Sequence, residues 1–408
     1  MKVIITKDTW NFGRATTIQA SRILATQTSK QYDGVKLNIG TNTEGSNLLQ
    51  VGKWSKSYSN VAIWELVFLD HDATEEELTK IKDYFVKTYP WLFPDQAWTV
   101  VGKTNEDEDR ATIANITGNG NDLVLSNFGF AEGSGYGLYA VNFLGSIWVK
   151  NTGLTKISPS SFTIENTIES TQATVYINTS GKDVILPSFK VNITGLGNVV
   201  WKYHYIDDAG DRQSIILQDG VNVLPTSYVS LSATSTWVGF GTITGVTDNI
   251  TIEQIPEYEG YLVTDGVDDK VQSSSFTMNE DWTIVGDWEL LSNVQINCGI
   301  VKAQNVYLYN TANGLLISIN NPRSLQNFGT KSLRAICSDG RLYDRNWIEY
   351  EYTVDQNFAI VESSLNIGFN LNNYTQIAFK NLGIYNNQIL SKDDCIKAYN
   401  YLQTLKAK

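Results

Sequence analysis

IAFKNLGIYNNQILSKDDCIKAYNYL, residues 377–402, decides how this chain is read. An apolar run leads into a polar turn, NNQ, and then into a segment whose apolar residues Cys395, Ala398 and Leu402 recur at helical spacing. Ser391 stands at the N-cap position with Asp394 three residues on. The same pattern occurs far upstream, as VAIWELVFLDHDATEEELTKIKDYF at residues 61–85. Val61, Ala62 and Ile63 match Ile377, Ala378 and Phe379, Leu66 and Phe68 match Leu382 and Ile384, and DHD matches NNQ. Thr74 and Glu77 form a capping box, Leu78, Ile81 and Phe85 make the apolar stripe, and Pro90 stops the helix. The tetrapeptide LNIG also occurs twice, at 37–40 and 365–368, each time after a Tyr-Asp pair, at 32–33 and 343–344. Together these mark two copies of one domain ending. Only about 60 residues precede the final strand of the first copy, so it reads as the back half of a sandwich without its front half.

Composition agrees with an all-β chain. Aromatics make up 12% and charged residues 18% of the 408 positions, with Asn, Thr, Ser and Gly plentiful, which suits short strands and polar turns rather than long helices. Less than a fifth of the chain is expected to be helical. A net charge of −12 argues against nucleic acid as a partner, because phosphate neutralisation needs a basic face. No apolar run reaches the length of a membrane-spanning helix, so no membrane insertion is expected. MKVIITKDTW breaks its apolar run at Lys7 and Asp8 and lacks the apolar core of an export signal. Cys298, Cys337 and Cys395 have no metal-ligand spacing and read as buried, reduced thiols.

Between the two endings, alternating runs such as ATVYIN, FKVNITGL and WVGFGTITG are punctuated by Gly, Asn and Asp, the signature of a β-sandwich. The expected organisation is a partial module over 1–98, opening strands of a second module over 99–129, an inserted β-sandwich over 130–257, and a jelly roll over 258–408. Short amphipathic helices close the first and last modules.

Few residues suggest chemistry. VGKT at 101–104 lacks the glycine that a phosphate-binding loop needs six residues before its lysine, since residue 97 is Ala. In NEDEDR, Asn105, Asp107 and Asp109 alternate like the first ligands of a calcium loop, but Arg110 and Ile116 stand where Gly and Glu are required. Asp107 and Asp109 therefore read either as a solvated acidic turn or as part of a calcium site completed from elsewhere. Asp265, Asp268 and Asp269 in DGVDD carry the same two readings, Ca²⁺ ligands or turn formers. No other cofactor is implied. His71 and His204 are the two histidines, and neither belongs to a catalytic triad pattern. No run of carboxylates has glycosidase spacing, so no catalytic residue is assigned. Tyr136 and Tyr139 in GSGYGLYA, and Trp201, Tyr203 and Tyr205 at alternate positions, are candidate sugar-stacking rings, with cross-strand packing as the alternative.

Three stretches carry a likeness to a known family. TGNGNDLVL (117–125), YLVTDGVDDKV (261–271) and DWTIVGDWEL (281–290), followed by the closing strand–turn–helix, resemble a LamG-like, concanavalin A-like jelly roll. GKTNEDEDRATIANITGNGNDLVLSNFGFAEGSGYG (102–137) with ITIEQIPEYEGYLVTDGVDD (250–269) resembles virion structural proteins, fibre or appendage components, of crAss-like gut phages. The resemblance implies a non-enzymatic head or tail fibre or decoration protein. It would assemble as a dimer or trimer in the bacterial cytoplasm, join other capsid or tail proteins in the virion, and touch host-surface glycans. A bacterial lectin-like carbohydrate-binding protein is the second reading, and a glycosidase the third.

Overall fold

The computed structural model describes residues 74–131, 133–145, 148–150, 154–155, 157–165, 170–171, 175–177, 183–229, 238–241, 243–244, 249–291, 298–303, 306–311, 314–319, 333–352, 362–370 and 373–407. Upstream it describes the backbone of eight short strands between residues 3 and 68. Strands make up 48% of the described residues, against two α-helices, so the chain is all-β and built of several sandwich-like sheets.

The largest unit is a sandwich of two antiparallel sheets. One sheet orders Gly135–Leu138, Glu257–Val263, Ile377–Asn386, Trp282–Leu290, Leu333–Cys337, Arg341–Asp344 and Glu349–Glu351, with Gln96–Thr99 also paired to Ile377–Asn386. The facing sheet orders Thr112–Ile113, Leu123–Ser126, Lys270–Thr277, Glu362–Ile367, Cys298–Ala303, Val306–Thr311 and Gly314–Ile319. Leu123 and Leu125 are buried while Val124 and Ser126 are exposed, the period of two that one covered face requires. Trp98, Trp282, Ile284, Trp288, Leu365, Ile367, Leu382 and Ile384 meet in the core between the sheets.

Ile377–Asn386 is central to its sheet. It pairs along one side with Trp282–Leu290, and along the other with both Glu257–Val263 and Gln96–Thr99. A bulge places Lys380 as the extra residue where Asp287 faces Asn381 and Trp288 faces Phe379. Gly286 permits the close approach beside it, because a Cβ there would lie 2.7 Å from the Asn381 carbonyl and 2.4 Å from the Trp288 ring.

These pairings move two expected boundaries. Gln96–Thr99 crosses the limit set at residue 98 and belongs to the sheet of the last module. Gly135–Leu138 also joins that sheet, pairing with Glu257–Val263, so the insertion starts after Leu138 rather than at 130. The reason is register: both strands supply backbone partners that no periodicity in the sequence specifies.

The inserted unit is a second sandwich. One five-stranded sheet orders Trp148–Lys150, Val175–Ile177, Gly239–Phe240, Lys202–Ile206 and Arg212–Ile216, the other Leu154–Thr155, Ser161–Glu165, Asn249–Ile255, Phe189–Thr194 and Gly220–Leu224. Its core holds Phe143, Trp148, Phe162, Trp201, Tyr203 and Phe240 and shares no residue with the core of the larger sandwich.

Gln254 clamps the place where the chain crosses between the two units. Its Oε1 accepts from the Ala140 and Val141 amides at 2.7 and 3.1 Å, and its Nε2 donates to the Val141 carbonyl at 2.9 Å. Gln254 is buried, so Gln254→Ala would strand these groups away from water. The expected loss is about 1–3 kcal/mol, read as a lower denaturation midpoint; an unchanged midpoint would show that water replaces the amide.

Helix α1, Glu75–Thr88, begins at the expected capping box: Thr74 Oγ1 accepts from the Glu77 amide and Glu77 Oε2 accepts from the Thr74 amide. Its stripe is only partly covered, with Phe85 buried and Leu78 and Ile81 half-buried. Helix α2, Lys392–Gln403, starts at Ser391 and buries Cys395, Ala398 and Leu402 against the outer face of the sheet. The first LNIG tetrapeptide lies on the strand Lys36–Thr41, and the second closes the strand Glu362–Ile367 with its Gly368 just beyond the end. The upstream copy departs from the downstream one, because Leu66–Phe68 pairs parallel with Val3–Ile5. Residues 61–63 and His71 lie outside the described residues.

Candidate functional site

The motifs that carry the family likeness turn out to hold strands in place. In TGNGND, the Asn115 amide donates to Asp122 Oδ1 at 2.7 Å, Asn119 Nδ2 donates to the Asp95 carbonyl at 2.8 Å, and the Trp98 indole donates to the Asn121 carbonyl at 2.9 Å. Gly118, Gly120 and Asn121 adopt positive φ, which lets this loop wrap the start of Gln96–Thr99.

DGVDD forms a self-capped turn. Asp265 Oδ1 accepts from the Val267 and Asp268 amides at 2.8 and 3.2 Å, and Asp269 Oδ2 accepts from the Asp265 amide at 2.7 Å. Asn127 Nδ2 donates to the Asp268 carbonyl at 3.0 Å and ties the turn to the opening strands. One oxygen from each of Asp265, Asp268 and Asp269 lies within 4.8 Å of the others, and among the described residues this is the group that could hold a divalent cation.

Asp269 is buried, and its carboxyl is pushed from 3.8 up to about 7, first by desolvation. The Asp265 and Asp268 carboxylates push the same way, while the Asp265 amide and the Ser134 hydroxyl pull it down. The folded chain therefore keeps a proton that the unfolded chain releases. Stability from this group is complete below about pH 4 and is lost as pH rises towards about 7. Asp269→Asn is expected to flatten the fall in melting temperature across that window. An unchanged slope would assign it to other groups, Asp95 among them, whose carboxyl burial also raises.

Asp107 and Asp109 do not join a metal cluster. Asp107 accepts from the Thr104 amide and hydroxyl at 2.9 and 2.8 Å, whereas Asp109 pairs with the buried Lys103 ammonium at 2.6 Å. The calcium reading of this turn is thereby replaced by a cap and an ion pair.

The aromatic candidates are corrected in the same way. Trp201 and Tyr203 are fully buried in the inserted core, with the Trp201 indole donating to the Gly241 carbonyl at 2.6 Å. Tyr136 is buried too, stacked on Phe130 at 6.0 Å, with its hydroxyl donating to the Arg110 carbonyl at 2.7 Å. These three offer no free ring face to a sugar. Tyr139 and Tyr205 are half-buried, and Tyr205 packs against the inserted core. Burial pushes the Tyr139 hydroxyl up to about 12. The alternation of Trp201, Tyr203 and Tyr205 serves the face of Lys202–Ile206 that the second sheet of the inserted sandwich covers.

A charged cluster that sequence reading missed lies under α2. Asp287 Oδ1 meets Arg334 Nη1 at 2.8 Å, both side chains buried, and Glu289 lies 3.7 Å from Arg334 Nη2. Asp287 Oδ2 accepts from Tyr261 and Tyr399 hydroxyls, each at 3.1 Å, and from Gln403 Nε2 at 3.0 Å. Tyr399 and Gln403 belong to α2, so this carboxylate fastens the helix to the sheet. With both oxygens engaged it is a structural anchor rather than a free acid or base. Burial and the Asp287 carboxylate raise the Tyr261 and Tyr399 hydroxyls, keeping both protonated as donors. Nearby, Cys337 and Cys395 are buried, free thiols; a hydrogen bond between them lowers Cys337 and raises Cys395. His204 is half-buried on Lys202–Ile206, its imidazole held below the usual value by desolvation and by Arg212 and Lys202.

No family model and no curated protein matches the chain. A solved Trypanosoma rangeli sialidase is similar over 95% of this chain and 81% of its own, at 10% identity and a TM-score of 0.24. A likeness at that score carries no argument about this chain's fold or chemistry.

Proposed function

We propose that the chain is a non-enzymatic structural component of a phage virion, a head or tail fibre or decoration protein that works as a homo-oligomer. The observation that carries this reading is where its polar clusters go. TGNGND, DGVDD, Gln254 and the Asp287–Arg334 pair each fasten one strand, helix or unit to another. Chemistry-bearing side chains consumed as fasteners suit a load-carrying module, and the sequence resemblance to crAss-like virion proteins supports the same reading. Contact with host-surface glycans, and Ca²⁺ at Asp265, Asp268 and Asp269, belong to the proposal, with no ring among Tyr136, Trp201 and Tyr203 taking part. Mass spectrometry of purified particles from a host that carries the gene tests it. Peptides at a fixed ratio to capsid protein are expected, and their absence from particles would overturn the reading.

A further inference from the structure

We propose that Cys337 and Cys395 are a dithiol that closes to a disulfide when the chain meets an oxidising medium, pinning the start of α2 to the sheet beneath it. Cys337 ends the strand Leu333–Cys337. Cys395 closes the first turn of α2, its amide donating to the Ser391 carbonyl at 2.8 Å. Both thiols are free and fully buried, and both belong to the apolar cluster between α2 and the outer face of the sheet. Separate contacts bring the two sulfurs to one place. Cys337 faces Thr283 across the strand pair, and the Thr283 hydroxyl accepts from the Leu390 amide at 2.9 Å. Cys395 Sγ lies 4.0 Å from the carbonyl of that same Leu390. The thiols are also hydrogen-bonded to each other, so the sulfurs touch before any bond forms.

Cys337 is the attacking sulfur. The hydrogen bond with Cys395, and then the Arg341 guanidinium, hold it below the usual thiol value, whereas the same hydrogen bond and burial raise Cys395. The Cys337 thiolate attacks one sulfur of a small-molecule disulfide such as oxidised glutathione, forming a mixed disulfide and releasing one glutathione thiolate, which takes up a proton. Cys395 then gives its proton to solvent and attacks the Cys337 sulfur, releasing the second glutathione. Two protein thiols are oxidised, and one disulfide is reduced to two thiols. Because both sulfurs are buried, the reaction waits on local opening of α2. Asp287 already holds the far half of this helix through Tyr399 and Gln403, and the new bond ties its near end. The two cysteines are far apart in sequence, and closing a long loop restricts the unfolded chain most. A reducing cytoplasm keeps the pair open, and a particle leaving the cell meets the oxidant. That setting rests on the virion reading; the bond itself does not.

Oxidised glutathione added to the purified full chain tests this, with and without sub-denaturing urea to open α2. Thiols titrated in denaturant should fall from three to one. The intact mass should drop by two hydrogens, with no lasting glutathione adduct. Peptide mapping without reductant should join the Cys337 and Cys395 peptides and leave Cys298, on a strand of the facing sheet, free. The oxidised chain should melt roughly 5–10 °C higher, and reductant should remove the gain. Cys337→Ala and Cys395→Ala chains should form no such bond and show no gain, and the wild-type map reads the pairing even if either variant fails to fold. Three thiols surviving the treatment in urea, a lasting glutathione adduct or a bridge to Cys298 would overturn the pairing. A bond that lowers the melting temperature would overturn its pinning role. The virion reading stands on particle peptides, so either failure here leaves it in place.

Discussion

Asp287→Ala is expected to destabilise the larger sandwich by about 3–5 kcal/mol, the cost of removing one partner from a buried ion pair. Arg334 would be left inside the protein with Glu289 at 3.7 Å as its remaining acidic neighbour. Tyr261, Tyr399 and Gln403 would lose a common acceptor at the same time. Since two of these three donors belong to α2, the helix should loosen before the sheet does. Urea unfolding gives the stability change, and faster amide exchange over 392–403 gives its location. The double variant Asp287→Leu with Arg334→Met should recover part of the loss, because an apolar pair leaves no charge uncompensated. If the double variant were less stable than Asp287→Ala alone, the charge argument would be wrong.

Phe240→Ala should cost a similar amount, about 3–5 kcal/mol, but in the inserted sandwich. Phe240 is fully buried, with ring centroids of Tyr203, Trp201 and Phe162 at 5.2, 5.3 and 5.4 Å. Truncation leaves a cavity walled by rigid rings that cannot collapse into it without leaving their rotamers. The two cores have no residue in common, so the effect should stay with one unit. Calorimetry should show one transition moving down and the other unmoved. Equal shifts of both would mean that the units unfold together, and that the Gln254 clamp couples them more tightly than separate cores imply.

The closing helix was legible because its signals are local. Ser391, Asp394 three residues on, and the stripe Cys395, Ala398 and Leu402 are read within a dozen residues, and that stripe is what the helix buries. The capping box at Thr74 and Glu77 was legible for the same reason. What escaped depends on partners distant in sequence. Gln96–Thr99 is four residues long and buried throughout, so it has no alternation to read, and its place beside Ile377–Asn386 is a matter of register. Asp287 and Arg334 sit on neighbouring strands within apolar runs that give no sign of a charged pair. Trp201, Tyr203 and Tyr205 showed the opposite failure. Period two says that alternate residues share a face, but it does not say whether that face meets solvent or a second sheet.

One sandwich interrupted by another, with the closing strand Ile377–Asn386 at its centre, is the arrangement that positions the turns, the clamp and the buried ion pair. Native-state hydrogen exchange tests it most directly. The amides of 96–99 are expected to exchange with those of 377–386 in one slow group, while 189–194 and 249–255 form a second group that opens at its own free energy. Exchange of 96–99 together with α1, independent of 377–386, would contradict the arrangement and return that strand to the upstream half-module.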